Sequence, residues 1–144
     1  MASLNNLPEF PRLTADNNQI TRPRDRLYNC IAWAAGDTTR FWWPDEWGQS
    51  FWPPGVPREE TMAAFVLAYE TEGYKSCLDG TLENRREKIA IYTLDGKPKH
   101  AARQLDDGQW TSKLGRYEDI RHATLDAIEG PVYGTVVMFM ERPR

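Results

Sequence analysis

The pattern of apolar and polar positions divides the chain into a helical first half and a β-rich second half. From Tyr28 to Gly36 a run of small and apolar residues stretches from Cys30 to a glycine. It predicts a short buried helix with Cys30 in its first turn and Gly36 as its stop. Over residues 59–72, Met62, Phe65, Val66 and Tyr69 recur at helical spacing, with acidic residues in the first turn and Gly73 beyond the end. Farther on the period becomes two. Residues 88–94, 99–105 and 109–115 are separated by Asp95-Gly96 and Asp107-Gly108, turn dipeptides that predict a three-strand antiparallel meander. The apolar run 135–140 predicts a buried strand of the same sheet, and residues 117–128, closed by Gly130-Pro131, a loop with a short helix. The class read from this pattern is α+β: an early cysteine-bearing helix packed on an antiparallel sheet of four or more strands, with two or three further helices.

Two segments carry no sustained period. Residues 1–25 are rich in Pro, Asn and Arg and read as an extended arm pinned by Leu7, Phe10 and Leu13; residues 26–144 form the single domain. Residues 37–57 hold Trp42, Trp43, Trp47 and Trp52 among four prolines, which exclude a regular helix or a central strand. This long loop reads either as a satellite core or as an aromatic wall beside a cleft, with Trp33, Trp43, Trp47 and Trp110 as cleft candidates.

Charge and cysteine content narrow the function classes. A net charge of −3 on 144 residues argues against a nucleic-acid surface, and the basic run 21–26 reads as a solvated approach to the first helix. Cys30 and Cys77 lack metal-site spacing, so neither a metal nor a cofactor is expected, and a bridge between them would exclude a free thiol at Cys30. The N-terminus has no charged n-region or apolar h-region, and no run approaches membrane-spanning length. The expectation is no membrane partner and a cytoplasmic protein, or one exported without a recognisable N-terminal signal.

The candidate chemistry is nucleophilic. A thiol in the first turn of a helix faces unpaired amides and the positive end of the dipole, which lower its pKa; the competing reading of Cys30 is a buried space-filler. His100, on the middle strand of the meander, is the candidate base. With a two-residue turn at Asp107-Gly108, Leu105 faces Trp110 and His100 falls opposite Gly115, leaving Ser112 or Lys113 nearest the imidazole. Gln104 shares the face of His100, and Asp119 reaches back from the next loop. Lys113 cannot accept a hydrogen bond, so Ser112 and Gln104 are the candidate orienting groups. The Cys30 amide, helped by Asn29, is the candidate oxyanion donor, Asn29 reading equally as a helix N-cap. His122 is either a competing base or a loop brace.

The stretches Asn29-Cys30-Ile31-Ala32-Trp33-Ala34, His100-Ala101-Ala102-Arg103-Gln104-Leu105, Trp110-Thr111-Ser112-Lys113-Leu114-Gly115 and 124–130 together resemble an uncharacterised bacterial single-domain family of about this length. More distantly, the order of Cys30 on an early helix and His100 on a later strand is similar to the papain-like superfamily, including NlpC-type cell-wall peptidases and transglutaminase-like enzymes. That resemblance implies a papain-like fold and a cysteine peptidase or amidase, with Cys30 as nucleophile and His100 as base. The chain departs from those enzymes in having no Asn, Asp or second His on the strand after His100 and no Gln a few residues before Cys30. The function expected is a thiol-dependent hydrolase or acyl transferase acting on an amide or isopeptide bond of a protein or peptide. The alternative is a non-catalytic binding or immunity-type module that contacts a protein partner through the Trp-rich loop.

Overall fold

The computed structural model describes residues 2–144. Its backbone is one seven-stranded antiparallel sheet with two short helices on one face. The strands are β1 (Asn18–Arg22), β2 (Lys75–Cys77), β3 (Arg86–Leu94), β4 (Lys97–Gln104), β5 (Trp110–Lys113), β6 (Asp119–His122) and β7 (Thr135–Pro143), in the spatial order β1-β6-β5-β4-β3-β7-β2. The helices are α1 (Cys30–Ala35) and α2 (Met62–Glu70), with a 3-10 turn over Leu125–Ile128. This β-rich architecture corrects the papain-like α+β expectation: the helices total only six and nine residues, and the sheet, not a helical layer, organises the chain. The extra strands come from segments in which no strand was expected. β1 lies within the expected arm, β2 in a polar loop, and β6 in the segment read as loop plus helix.

Period-two alternation gives the sheet two apolar faces. On one, Ile89, Ile91, Ala101 and Met140 pack under α1, α2 and the buried Trp42 and Trp52 of the loop. On the other, Tyr92, Ala102, Trp110, Leu114 and Ile120 pack with Phe10, Leu13, Ile128 and Tyr133. Burial of each such large side chain contributes about 1.5–3 kcal/mol. Tyr69 on α2 donates to the Ile31 carbonyl of α1 at 2.9 Å, which fixes one helix against the other. Gly36 ends α1 at φ +86°, a left-handed conformation in which its amide reaches the Ala32 and Trp33 carbonyls.

The register at β5 shortens its ladder with β4. β4 and β5 pair only at Arg103↔Thr111 and Gln104↔Trp110, after which the ladder stops. This is one residue away from the expected Leu105–Trp110 pairing, because Leu105 leaves the strand and its amide bonds the Gln109 carbonyl in a longer loop. β5 then continues with β6 alone, as Lys113 pairs with Asp119. Among the described residues no helix is long and apolar enough to cross a membrane.

Candidate functional site

Cys30 is the first residue of α1. The Asn29 side-chain oxygen accepts from the Ala32 amide at 3.2 Å and from the Trp42 amide at 3.0 Å, while its amide group donates to the Trp42 carbonyl at 2.7 Å. Asn29 is therefore the N-cap and ties the tryptophan loop to α1, a role whose loss costs about 1 kcal/mol. Beyond the N–H given to Trp42 its amide has a second one, and Asn29 lines the cleft beside Cys30. Both cysteines are free thiols. The Cys30 thiol donates to the Lys99 carbonyl at 3.8 Å and faces the Ala101 amide, so the sulfur lies against the backbone on both sides of His100.

His100 is fully buried and, being paired with Tyr92 across β3, points to the face opposite the helices. Its ring stacks on Tyr133 with centroids 4.0 Å apart. Tyr133 reaches that position through Gly134, at φ +69°, where a Cβ would stand 1.8 Å from the Thr93 carbonyl oxygen. Tyr133 also lines the cleft that holds Cys30, whereas His100 lies behind it and does not line the cleft. Among the described residues Cys30 and His100 share no hydrogen bond, and His100 Nδ1 has no partner.

The other nitrogen of His100 is held by a chain of hydrogen bonds whose polarity can be worked out. His122 Nδ1 lies 2.8 Å from the Thr124 carbonyl, which can only accept, so Nδ1 carries the proton. Burial pushes the His122 pKa down to about 4, so the ring is neutral near pH 7 and Nε2 must accept. The group offered to it is the Ser112 hydroxyl at 2.8 Å. With its proton committed, Ser112 Oγ accepts from His100 Nε2 at 3.0 Å. His100, whose pKa burial holds well below the usual value, is thereby the Nε2–H tautomer with a lone pair on Nδ1.

The remaining candidates separate cleanly. Gln104 donates to the Gly80 carbonyl at 2.7 Å and has no bond to His100. Asp119 is buried and accepts from Tyr28 at 2.5 Å; burial raises its pKa. Lys113, also buried, donates to the Gly115 and Tyr117 carbonyls at 3.1 and 3.3 Å. Of the four tryptophans expected in the cleft only Trp43 lines it. Trp33 is stacked on Tyr28 and bonded to Thr111, Trp110 is buried in the second core, and Trp47 is 78% exposed on the loop. The thiol departs from expectation as well: burial pushes its pKa up to about 11, outweighing the surrounding amides of a helix only six residues long. His122 was legible only as a competing base or a brace, because its part depends on Ser112 of β5 standing between rings on the two flanking strands, β4 and β6.

The cleft has a volume of about 910 Å³, in the range of small-molecule and peptide sites. Among the described residues no group of three or more His, Cys, Asp or Glu could hold a metal ion. No curated protein and no solved structure matches the chain. A family model does, over residues 19–141, a span that includes the thiol, both histidines and all but the outer ends of β1 and β7, and the chain belongs to that family, described as Domain of unknown function (DUF7689).

Proposed function

We propose that the chain is a thiol-dependent hydrolase or acyl transferase in which Cys30 is the nucleophile and His100 the base. The observation that carries this reading is the hydrogen bonding of His100: one nitrogen is tied down through Ser112 and His122, the other has no partner, and the thiol touches the backbone of the residues on either side of it, Lys99 and Ala101. An oriented imidazole with one free nitrogen is what general-base attack by a thiol requires. The resting pair is thiol and neutral imidazole, since burial raises the one pKa and lowers the other.

In the proposed reaction the Cys30 side chain turns from the Lys99 carbonyl, His100 Nδ1 takes the thiol proton, and the sulfur adds to the carbonyl carbon of an amide. Collapse breaks the carbon–nitrogen bond, and the leaving amine takes the proton from His100. Water then adds to the thioester with its proton passing to Nδ1, the acid is released and the thiol restored; an amine in place of water makes the step a transfer. The Cys30 and Ile31 amides, which face the sulfur, stand where the oxyanion forms.

The second reading, a non-catalytic binding module, is favoured by the protonated resting thiol and by the 78% exposed Trp47 on the loop. Exposure of the protein to an activated acyl ester, such as the p-nitrophenyl ester of N-acetylglutamate, separates the two. The enzymatic reading predicts a transient acyl mass on the peptide containing Cys30 and continued release of nitrophenol. An adduct confined to lysines or Cys77, or none, would leave the binding module.

A further inference from the structure

The cleft is cationic although the protein is acidic overall. Arg24, Arg26, Lys99, Lys113 and Arg116 line it against a single acid, Asp25. Two of these charges are answered within the fold, as Arg24 pairs with Glu118 at 3.3 Å and Arg116 with Glu9 at 3.7 Å. Among the described residues, Arg26, Lys99 and Lys113 form no ion pair with a carboxylate. Lys113 is only 2% exposed, and it is solvated by backbone carbonyls instead of water. A buried ammonium and two unneutralised surface cations in one concavity leave a positive field that an anionic group would satisfy. The aromatic part of the lining is Tyr28, the loop residues Phe41 and Trp43, and Tyr133, in the same cleft as Cys30.

We propose that the cleft selects an acidic peptide, with a side-chain carboxylate on the unpaired cations Arg26, Lys99 and Lys113 and an apolar neighbour on the aromatic wall next to Cys30. This deepens the reading above and rests on it for the position of the reacting carbonyl. A carboxylate suits the site because a guanidinium can hold it through two parallel hydrogen bonds while an ammonium takes it as a point charge. Aromatic faces supply contact area that a fully charged ligand does not use.

Isothermal titration of the Cys30→Ser protein, which cannot turn over, tests the proposal with three capped peptides: Asp-Glu-Phe-Gly, its Asn-Gln counterpart and a phosphoserine-Gln counterpart. The acidic peptide is expected to bind about tenfold tighter than the amide form at low salt, as desolvated charged hydrogen bonds imply. The gap should narrow as salt is added. An added Arg26→Ala/Lys99→Ala pair should abolish the preference, and Lys75→Ala, on β2 far across the sheet, should not. Equal dissociation constants, an equal loss in Lys75→Ala, or tighter binding of the phosphopeptide would overturn the assignment. Selective binding without any acyl transfer by the native protein would uphold the cleft chemistry and sink only the catalytic reading on which it was placed.

Discussion

Replacing His100 by alanine is expected to slow acylation of Cys30 by about 10²- to 10⁴-fold, the range associated with loss of a positioned general base. The size of the effect follows from the resting protonation states. A thiol pushed up to about 11 has almost no thiolate at neutral pH, so attack depends on proton removal in the same step. His100 is the one imidazole with an unpartnered ring nitrogen among the described residues. Because the ring is fully buried and stacked on Tyr133, circular dichroism must accompany the kinetics, and Ser112→Ala serves as the second variant. Removing that hydroxyl keeps the imidazole in place and releases Nε2, so the rate should fall while the far-ultraviolet spectrum is retained. Burst kinetics with the glutamyl ester read both; unchanged rates in both variants would remove His100 from the reaction.

Acidification from pH 7 to 4.5 is expected to destabilise the fold, and the two histidines are the cause. Unfolded, each imidazole takes up a proton near 6.5, whereas the native His122 stays neutral down to about 4. Between those values the unfolded chain binds more protons. Stability is therefore fully present above 6.5 and is lost as the pH falls towards 4, with about 3 kcal/mol from His122 alone. His100, held well below its usual value by burial and by the neighbouring His122, acts in the same direction. Asp119 opposes them, because burial raises its carboxyl and favours the native state in acid. Urea midpoints at the two pH values measure the balance, and His122→Gln isolates the contribution of that ring by flattening the dependence. A native midpoint that is the same at both pH values would mean that these imidazoles are not buried as neutral bases.

Local signals carried the sequence reading far along the chain and failed where distance or geometry decided. The Asp95-Gly96 turn announces the hairpin of β3 and β4, because left-handed backbone is local chemistry; both residues have positive φ. The Gly36 stop and the spacing of Met62, Phe65 and Tyr69 locate α1 and α2 for the same reason. β1, β2 and β6 were illegible because they are three to five residues long and mostly polar. Their strand character comes from a neighbour's ladder, not from their own period. The papain-like expectation rested on the order of Cys30 and His100, and residue order does not determine the layers between them.

At the site, residue types were readable and partners were not. Ser112 was named only beside Lys113, and the turn, one residue longer than assumed, decides between them, because that shift puts Ser112 and not Lys113 on the face of His100. Gln104 was misjudged because its amide finds Gly80, a residue of a distant loop. The basic character of the cleft was hidden by the acidic total. Its cations come from two segments, Arg24 and Arg26 before α1 and Lys99 to Arg116 along β4 and beyond β5, that meet only in three dimensions.

The claim on which the account turns is that His100 carries its proton on Nε2 and offers Nδ1 to the Cys30 thiol. Nitrogen-15 chemical shifts of the His100 ring read this directly, recorded from pH 6 to 11 in the native protein and in Cys30→Ser. The account predicts a neutral ring with a protonated Nε2 and a bare Nδ1 at neutral pH, and an Nδ1 signal that responds to Cys30→Ser and to thiol titration near 11. A protonated Nδ1, or an Nδ1 signal indifferent to both, would contradict it.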